Sequence, residues 1–276
     1  LTDIHTTLLD QSQQLSRLSQ QVSVLSNENV FLLRTCFEQD PWLAKAKDIH
    51  KGERCFLLGC GPSLNDLDLS RLQGEHTMGV NGTCLIESLN LEYFITVSHI
   101  WWKHHVQALR SLRCKRRFLP TYLRELASDC PTSWLRVIEY KDHQRVEESR
   151  PWFFSTHADR YVVSGGTVLF VGLQVLYHLG FSEVILLGVD HDYGIKKEDV
   201  GKSGIMVPAE TLNAHFIPDY YPLGGSAHID LWGMERAYEL AKEAFENDGR
   251  VILNASPGSK LTTYPFVEYD SLFHSP

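Results

Sequence analysis

The chain has 276 residues, 43% hydrophobic and 22% charged, enough to fold one large or two small domains around a real core. A formal charge of −8 at pH 7 excludes the basic surface that a nucleic-acid partner would need. The sequence shows neither a transmembrane run nor a signal-peptide pattern, although it opens on Leu1 rather than Met, which leaves an upstream segment open.

In the amino-terminal stretch Leu8, Leu15, Val22 and Asn29 recur at heptad spacing, as do Ile4, Gln11, Leu18, Leu25 and Leu32. This seam runs through Gln- and Ser-rich filler and predicts an amphipathic coiled-coil helix over residues 1–40. Homo-oligomerisation through residues 4–32 is the expectation, with Asn29 fixing register; the alternative is a helix lying on its own catalytic domain. Asp40-Pro41 ends this unit.

From Gly52 onward strands and helices alternate. Residues 55–58, CFLL, predict a buried strand that breaks into Gly59-Cys60-Gly61-Pro62-Ser63. Two glycines there let the backbone approach a ligand, and Ser63 or a free N–H can meet phosphate. The turn is neither a P-loop nor a full dinucleotide fingerprint, and a plain tight turn is the competing reading. The next strand ends at Gly79-Val80-Asn81, and 91–98 predicts a third that ends at Ser98-His99. A helix follows over IWWKHHVQALRSL, then strands in CKRRFLPTYL and WLRVIEY. Lys103–Arg117 is a basic island, read as a solvated helix face; attraction of an anionic substrate or membrane surface is the alternative.

Residues 141–160 are polar and irregular. Tyr161-Val162-Val163 then leads through Ser164-Gly165-Gly166-Thr167 into the apolar helix TVLFVGLQVLYHLGF. VILLGV predicts the most strongly marked strand, closed by Gly188 and the acidic run Asp190-His191-Asp192. A long loop follows, then the helix LWGMERAYELAKEAFENDG and the strand RVILNAS, which ends at Asn254-Ala255-Ser256. Apolar strands alternating with helices predict an α/β, doubly wound, mostly parallel, Rossmann-like domain over 52–276, with a lid at about 195–228. Ligands of such sheets bind at the carboxyl ends of the strands. That rule gathers the glycine and polar turns into one expected crevice.

Ser164-Gly165-Gly166-Thr167, at a helix start, offers N–H groups and hydroxyls to phosphate or ribose; an ordinary helix cap is the plainer reading. Asp190 and Asp192 could hold Mg²⁺ or ribose hydroxyls, or receive hydrogen bonds from neighbouring loops. The long loop brings His215, Tyr220 and His228, residues suited to general-base and phenol-donor roles. His215 is the stronger base candidate because aromatic residues surround it. Six cysteines without CxxC or zinc spacing indicate a reducing compartment. Glycans on the sequons at Asn81 and Asn254 would disrupt presumed ligand turns. A cytoplasmic location is expected, with association at the inner membrane surface open and a Golgi-type lumen disfavoured.

The motifs GCGPSLNDLDLSRL, GVNG, VVSGGTVLFVGLQVLYHLGFSEVILLGVDHDY, HFIPDYY and GRVILNAS resemble the family named after a 6-hydroxymethylpterin diphosphokinase, which includes motility-associated flagellin glycosyltransferases. More distantly, they are similar to bacterial sialyltransferases with a Gly-x-Gly-Pro-Ser-Leu turn. The resemblance spans about residues 52–262 and implies that Gly59, Gly61, Ser63 and Asn81 hold the CMP of a CMP-linked sugar donor. Ser164, Gly165 and Gly188 would hold cytosine and ribose. His215 or His228 would serve as base, and Tyr193 or Tyr220 would assist the leaving phosphate, without metal. The departures are Cys60, where the sialyltransferases carry Asn, and Ser98-His99, where they carry an Asn that reaches phosphate.

The resulting expectation is a glycosyltransferase that moves a sialic-acid-like nonulosonic acid to a hydroxyl of a glycan or protein. One alternative is a pyrophosphokinase acting on a pterin alcohol with ATP and Mg²⁺ held by Asp190 and Asp192. Another is a non-catalytic nucleotide-binding scaffold.

Overall fold

Short apolar runs, each closed by glycine or a polar residue, become the strands of the central sheet. In chain order these are β1 (Arg54–Leu58), β2 (His76–Val80), β3 (Tyr93–Ile95), β4 (Arg116–Pro120) and β5 (Thr132–Leu135). Beyond them come the two-residue strands β6 (Val137–Ile138) and β7 (Val162–Val163), then β8 (Glu183–Leu187), β9 (Ile205–Pro208), β10 (Ser226–Ile229) and β11 (Val251–Asn254). The computed structural model describes residues 39–126, 129–139, 153–200, 204–208, 211–212, 214–217, 220 and 225–273. The amino-terminal heptads over 1–38 lie outside the described residues.

The central sheet has seven strands in the order β11-β8-β1-β2-β3-β4-β5, and every pairing in it is parallel. The expected doubly wound parallel sheet is therefore present. Strand alternation divides the core in two. Cys55 and Leu57 join Met78, Tyr93 and Phe118 on one face, while Phe56 and Leu58 join Phe94, Leu119 and Ile185 on the other. The first face is covered by α4 (Val168–Leu179) and α5 (Leu231–Asn247). The second carries Trp101 and Leu109, from the short helices α2 (His99–His104) and α3 (Val106–Ser111). Near the start of the described chain, α1 (Pro41–Lys45) is capped by Asp40, whose carboxylate accepts from the Trp42 and Leu43 amides.

Helix α4 is apolar almost all round because the sheet and α5 leave it little solvent. Its one buried amide side chain, Gln174, is fully paired: Nε2 donates to the Val163 and Phe170 carbonyls, and Oε1 accepts from the Ser155 and Val163 amides. That clamp fixes β7, and hence the Ser164-Gly165-Gly166 turn, against the helix it feeds.

Several elements differ from the sequence expectation. The third strand is confined to Tyr93–Ile95, and the helix after it breaks at His105 into α2 and α3. WLRVIEY splits at Arg136, so that β5 stays in the main sheet while β6 pairs in parallel with β7. Part of the presumed loop is an antiparallel pair, β9 with β10. The basic island is not wholly a solvated face: Arg117 is fully buried, with its guanidinium on the Leu109 carbonyl and the Thr132 hydroxyl. Among the described residues no helix is long and apolar enough to cross a membrane.

Candidate functional site

The strand order reverses beside β1, which has β2 on one side and β8 on the other. The turns leaving β1 and β8 therefore diverge at a topological switch point, where α/β sheets bind ligands. A cavity of about 460 Å³ opens there, within the range of small-molecule sites. From the first turn Gly59, Cys60 and Gly61 line it, from the second strand's end Asn81, and from the third Ser98. The glycine turn before α4 contributes Ser164, Gly166 and Thr167; the turn after β8 contributes Gly188, Asp190, Asp192 and Tyr193; and the segment beyond it contributes His215, Tyr220 and, from β10, His228.

The two switch-point turns are sewn together. The Gly59 amide donates to the Leu187 carbonyl at 2.7 Å, and the Gly61 amide donates to the Gly188 carbonyl at 2.8 Å. A Cβ on Gly61 would stand 2.6 Å from the Asp190 carboxyl carbon, so only glycine admits that side chain. Asp190 then accepts from the Ser63 amide at 2.9 Å and from the Ser63 hydroxyl. The Ser63 N–H and O–H, expected to meet phosphate, both donate to Asp190, and Ser63 lies with Pro62 outside the cavity lining. Asn254 and Ser256 are likewise absent from the lining and buried. Ser256 Oγ accepts from the Val189 amide, and Asn254 braces Ser256 and Ser259, so both shape the β8 turn from behind. Gly165 packs under Phe170 rather than facing the cavity. His99 opens α2, but its side chain lies outside the described ones.

Helix α4 aims its amino end into the cavity, with Thr167 as N-cap accepting from the Leu169 amide at 3.3 Å. Aligned peptide dipoles make that end attractive to an anion. Asn81 adopts a left-handed backbone with φ 44 at the mouth of β2, and its side chain accepts from the Thr96 hydroxyl at 2.7 Å.

Residues 214–217 pack on the first turn. The Phe216 amide donates to the Cys60 carbonyl at 2.7 Å, and Asn65 Nδ2 donates to the Phe216 carbonyl. The Tyr220 hydroxyl meets the Cys60 thiol at 3.7 Å. His215 stacks on Tyr220 with centroids 3.7 Å apart and planes inclined by 9°. Burial lowers the His215 pKa to about 4, which leaves a neutral imidazole at pH 7. Burial also raises the Cys60 pKa to about 11, so that side chain is a thiol rather than a nucleophile. His228, on β10, is exposed and faces the same space.

Both acidic side chains of the Asp-His-Asp run have protein partners. Asp190 is engaged with Ser63; Asp192 bonds Lys260 Nζ at 2.8 Å and the Gly194 amide at 3.0 Å. Such donors compete directly with a cation for the carboxylate oxygens.

Sequence reasoning missed the apolar wall. Val97, Val168, Leu169, Met234 and Tyr238 line the cavity, and α5 reaches it only through tertiary packing. His191 was also passed over, although its φ of 52 marks a special position in the turn; its ring lies edge-on to Tyr193 and Tyr238.

No family model matches the chain, and no curated protein matches it. Among solved structures, the sialyltransferase CstII from Campylobacter jejuni in complex with a substrate analogue, cytidine-5'-monophosphate, aligns over 79% of this chain and 85% of its own, with 14% identity and a TM-score of 0.34.

Proposed function

We propose that the protein is a glycosyltransferase that moves a sialic-acid-like nonulosonic acid from a CMP-activated donor to a hydroxyl acceptor. The observation that carries the reading is the convergence, in one cavity at the switch point, of the first glycine turn, the amino end of α4 and a stacked His215–Tyr220 pair. The order of the glycine motifs along the chain supports the nucleotide as CMP. The helix end receives the nucleotide phosphate, and the glycine turns admit the flat base and ribose.

In the reaction, the acceptor oxygen forms a bond to the anomeric carbon while the bond from that carbon to the phosphate oxygen breaks. CMP departs with the electron pair. The acceptor proton passes to the neutral imidazole of His215, and a tyrosine hydroxyl, Tyr193 or Tyr220, donates toward the leaving phosphate. His228, exposed on the cavity rim, is the second candidate for the base.

Metal-assisted transfer from ATP is the second reading, and the engagement of Asp190 and Asp192 by Ser63 and Lys260 disfavours it. The test is release of CMP from a CMP-nonulosonate, followed with wild type, His215→Gln and His228→Gln, with and without EDTA. Expected are turnover in the presence of EDTA and a loss of about 10²-fold or more in the His215 variant, the usual scale of general-base catalysis. AMP production from ATP and a pterin alcohol, abolished by EDTA, would overturn the reading.

A further inference from the structure

At the amino edge of the sheet, opposite the cavity, a histidine–carboxylate cluster has no part in the chemistry above. Its members come from three places in the chain: His50 in the turn ahead of β1, Glu53 immediately before β1, and His76 at the first position of β2. Five residues of strand, roughly 16 Å at 3.3 Å per residue, separate this edge from the glycine turns.

Glu53 Oε2 lies 2.5 Å from His50 Nδ1 and 3.1 Å from His76 Nε2, and one donor atom from each residue falls within a 4.8 Å group. The far nitrogen of each ring is also held. His76 Nδ1 meets the Glu92 carboxylate, and His50 Nε2 lies 2.7 Å from the Tyr93 hydroxyl. A carboxylate or hydroxyl on the far nitrogen is the arrangement that fixes the tautomer and ring orientation of metal-ligating histidines. Phe181 stacks on His50 at 4.4 Å and packs edge-on to His76, which locks both rings. The His50 amide is anchored on the Leu179 carbonyl at 2.9 Å.

With His50 Nε2 donating to Tyr93 and His76 Nδ1 donating to Glu92, both remaining lone pairs point at the Glu53 carboxylate. Three electron-rich atoms that close require a positive charge between them, either protons or a cation.

We propose that His50, Glu53 and His76 bind a zinc-class divalent metal ion, with Glu92 and Tyr93 as their supporting partners and water in the remaining position. Two imidazoles and one carboxylate suit that class of ion, and the bonds of 2.0–2.2 Å it makes require only a small opening of the present separations. The Glu53 and His76 side chains are 49% and 32% exposed, which provides an entry path. The bound ion would tie the turn before β1 to β2 and act as a structural brace.

The test uses the full chain, stripped with chelator and titrated with Zn²⁺ against a competing indicator, with Co²⁺ absorption reporting ligand geometry. Wild type should bind one equivalent at this site, give the spectrum of four-coordinate cobalt and gain several degrees of melting temperature. Glu53→Gln, at a half-exposed position and so compatible with folding, should weaken binding more than tenfold and abolish the thermal gain; His76→Gln should do the same. Glu92→Gln should weaken zinc within the 10–100-fold range of supporting groups. Zinc binding that is absent in wild type, or equal in wild type and Glu53→Gln, would overturn the proposal and leave a proton-sharing network.

Discussion

His215 must be buried enough to stack on Tyr220 yet basic enough to take a proton. Burial lowers its pKa to about 4, whereas an unfolded histidine titrates near 6.5. As pH falls the unfolded chain binds a proton first, so the unfolded state gains and stability declines between about 6.5 and 4. Above 6.5 the two states carry the same charge at this residue and stability is fully present. The gap corresponds to at most about 3.4 kcal/mol, and local opening of the loop around His215 would reduce it. Thermal melts across this window should therefore show wild type losing stability more steeply than His215→Gln; parallel curves would place the imidazole in solvent. The candidate site was legible in the sequence to the extent that glycine and polar turns follow apolar strands, because the carboxyl-edge rule then places Gly59, Asn81, Ser98 and Gly188 together. The Ser63–Asp190 bond was not legible because the partners are 127 residues apart. No local pattern announces that glycine at 61 is there to admit a carboxylate.

The two switch-point turns act as one element, held by the amides of Gly59 and Gly61 on the β8 turn. A methyl on Gly59 would run into the Gly188 carbonyl, a backbone group that cannot swing aside as a flexible side chain would. Gly59→Ala should then cost about 1–3 kcal/mol, the range for overpacking. Denaturant melts should show a lower midpoint at unchanged m-value. CMP affinity should fall with it, since the displaced turn lines the cavity. Wild-type stability in Gly59→Ala would show that the turns separate freely. The same scale explains what the sequence revealed of the fold. Apolar runs such as CFLL and VILLGV are read as strands because both faces of a parallel sheet are dry. β9 escaped notice because Ile205 and Met206 are exposed, at 37% and 58%, so it lacks the alternation that marks a half-buried strand.

The molecule as a whole presents two chemically different edges of one sheet. The carboxyl edge carries glycine turns, a helix end and the lid; the amino edge carries His50, Glu53, His76 and Glu92. The two proposed sites share no side chain, and sites more than about 10 Å apart contribute additively to stability. Each should raise the melting temperature by mass action, a hundredfold excess over Kd giving about 2.7 kcal/mol. Four melts of the full chain, with CMP, with Zn²⁺, with both and with EDTA alone, separate the two sites. If both assignments hold, EDTA lowers the baseline while the increment due to CMP stays constant, and the combined shift equals the sum. A CMP increment that vanishes with EDTA would place the cation beside the nucleotide and restore the Asp190–Asp192 reading. An increment from Zn²⁺ that persists in Glu53→Gln would move the metal to other ligands while leaving the nucleotide site intact. Additivity therefore tests the physical separation of the two proposed sites directly, since the strands of the sheet stand between the amino edge and the carboxyl edge.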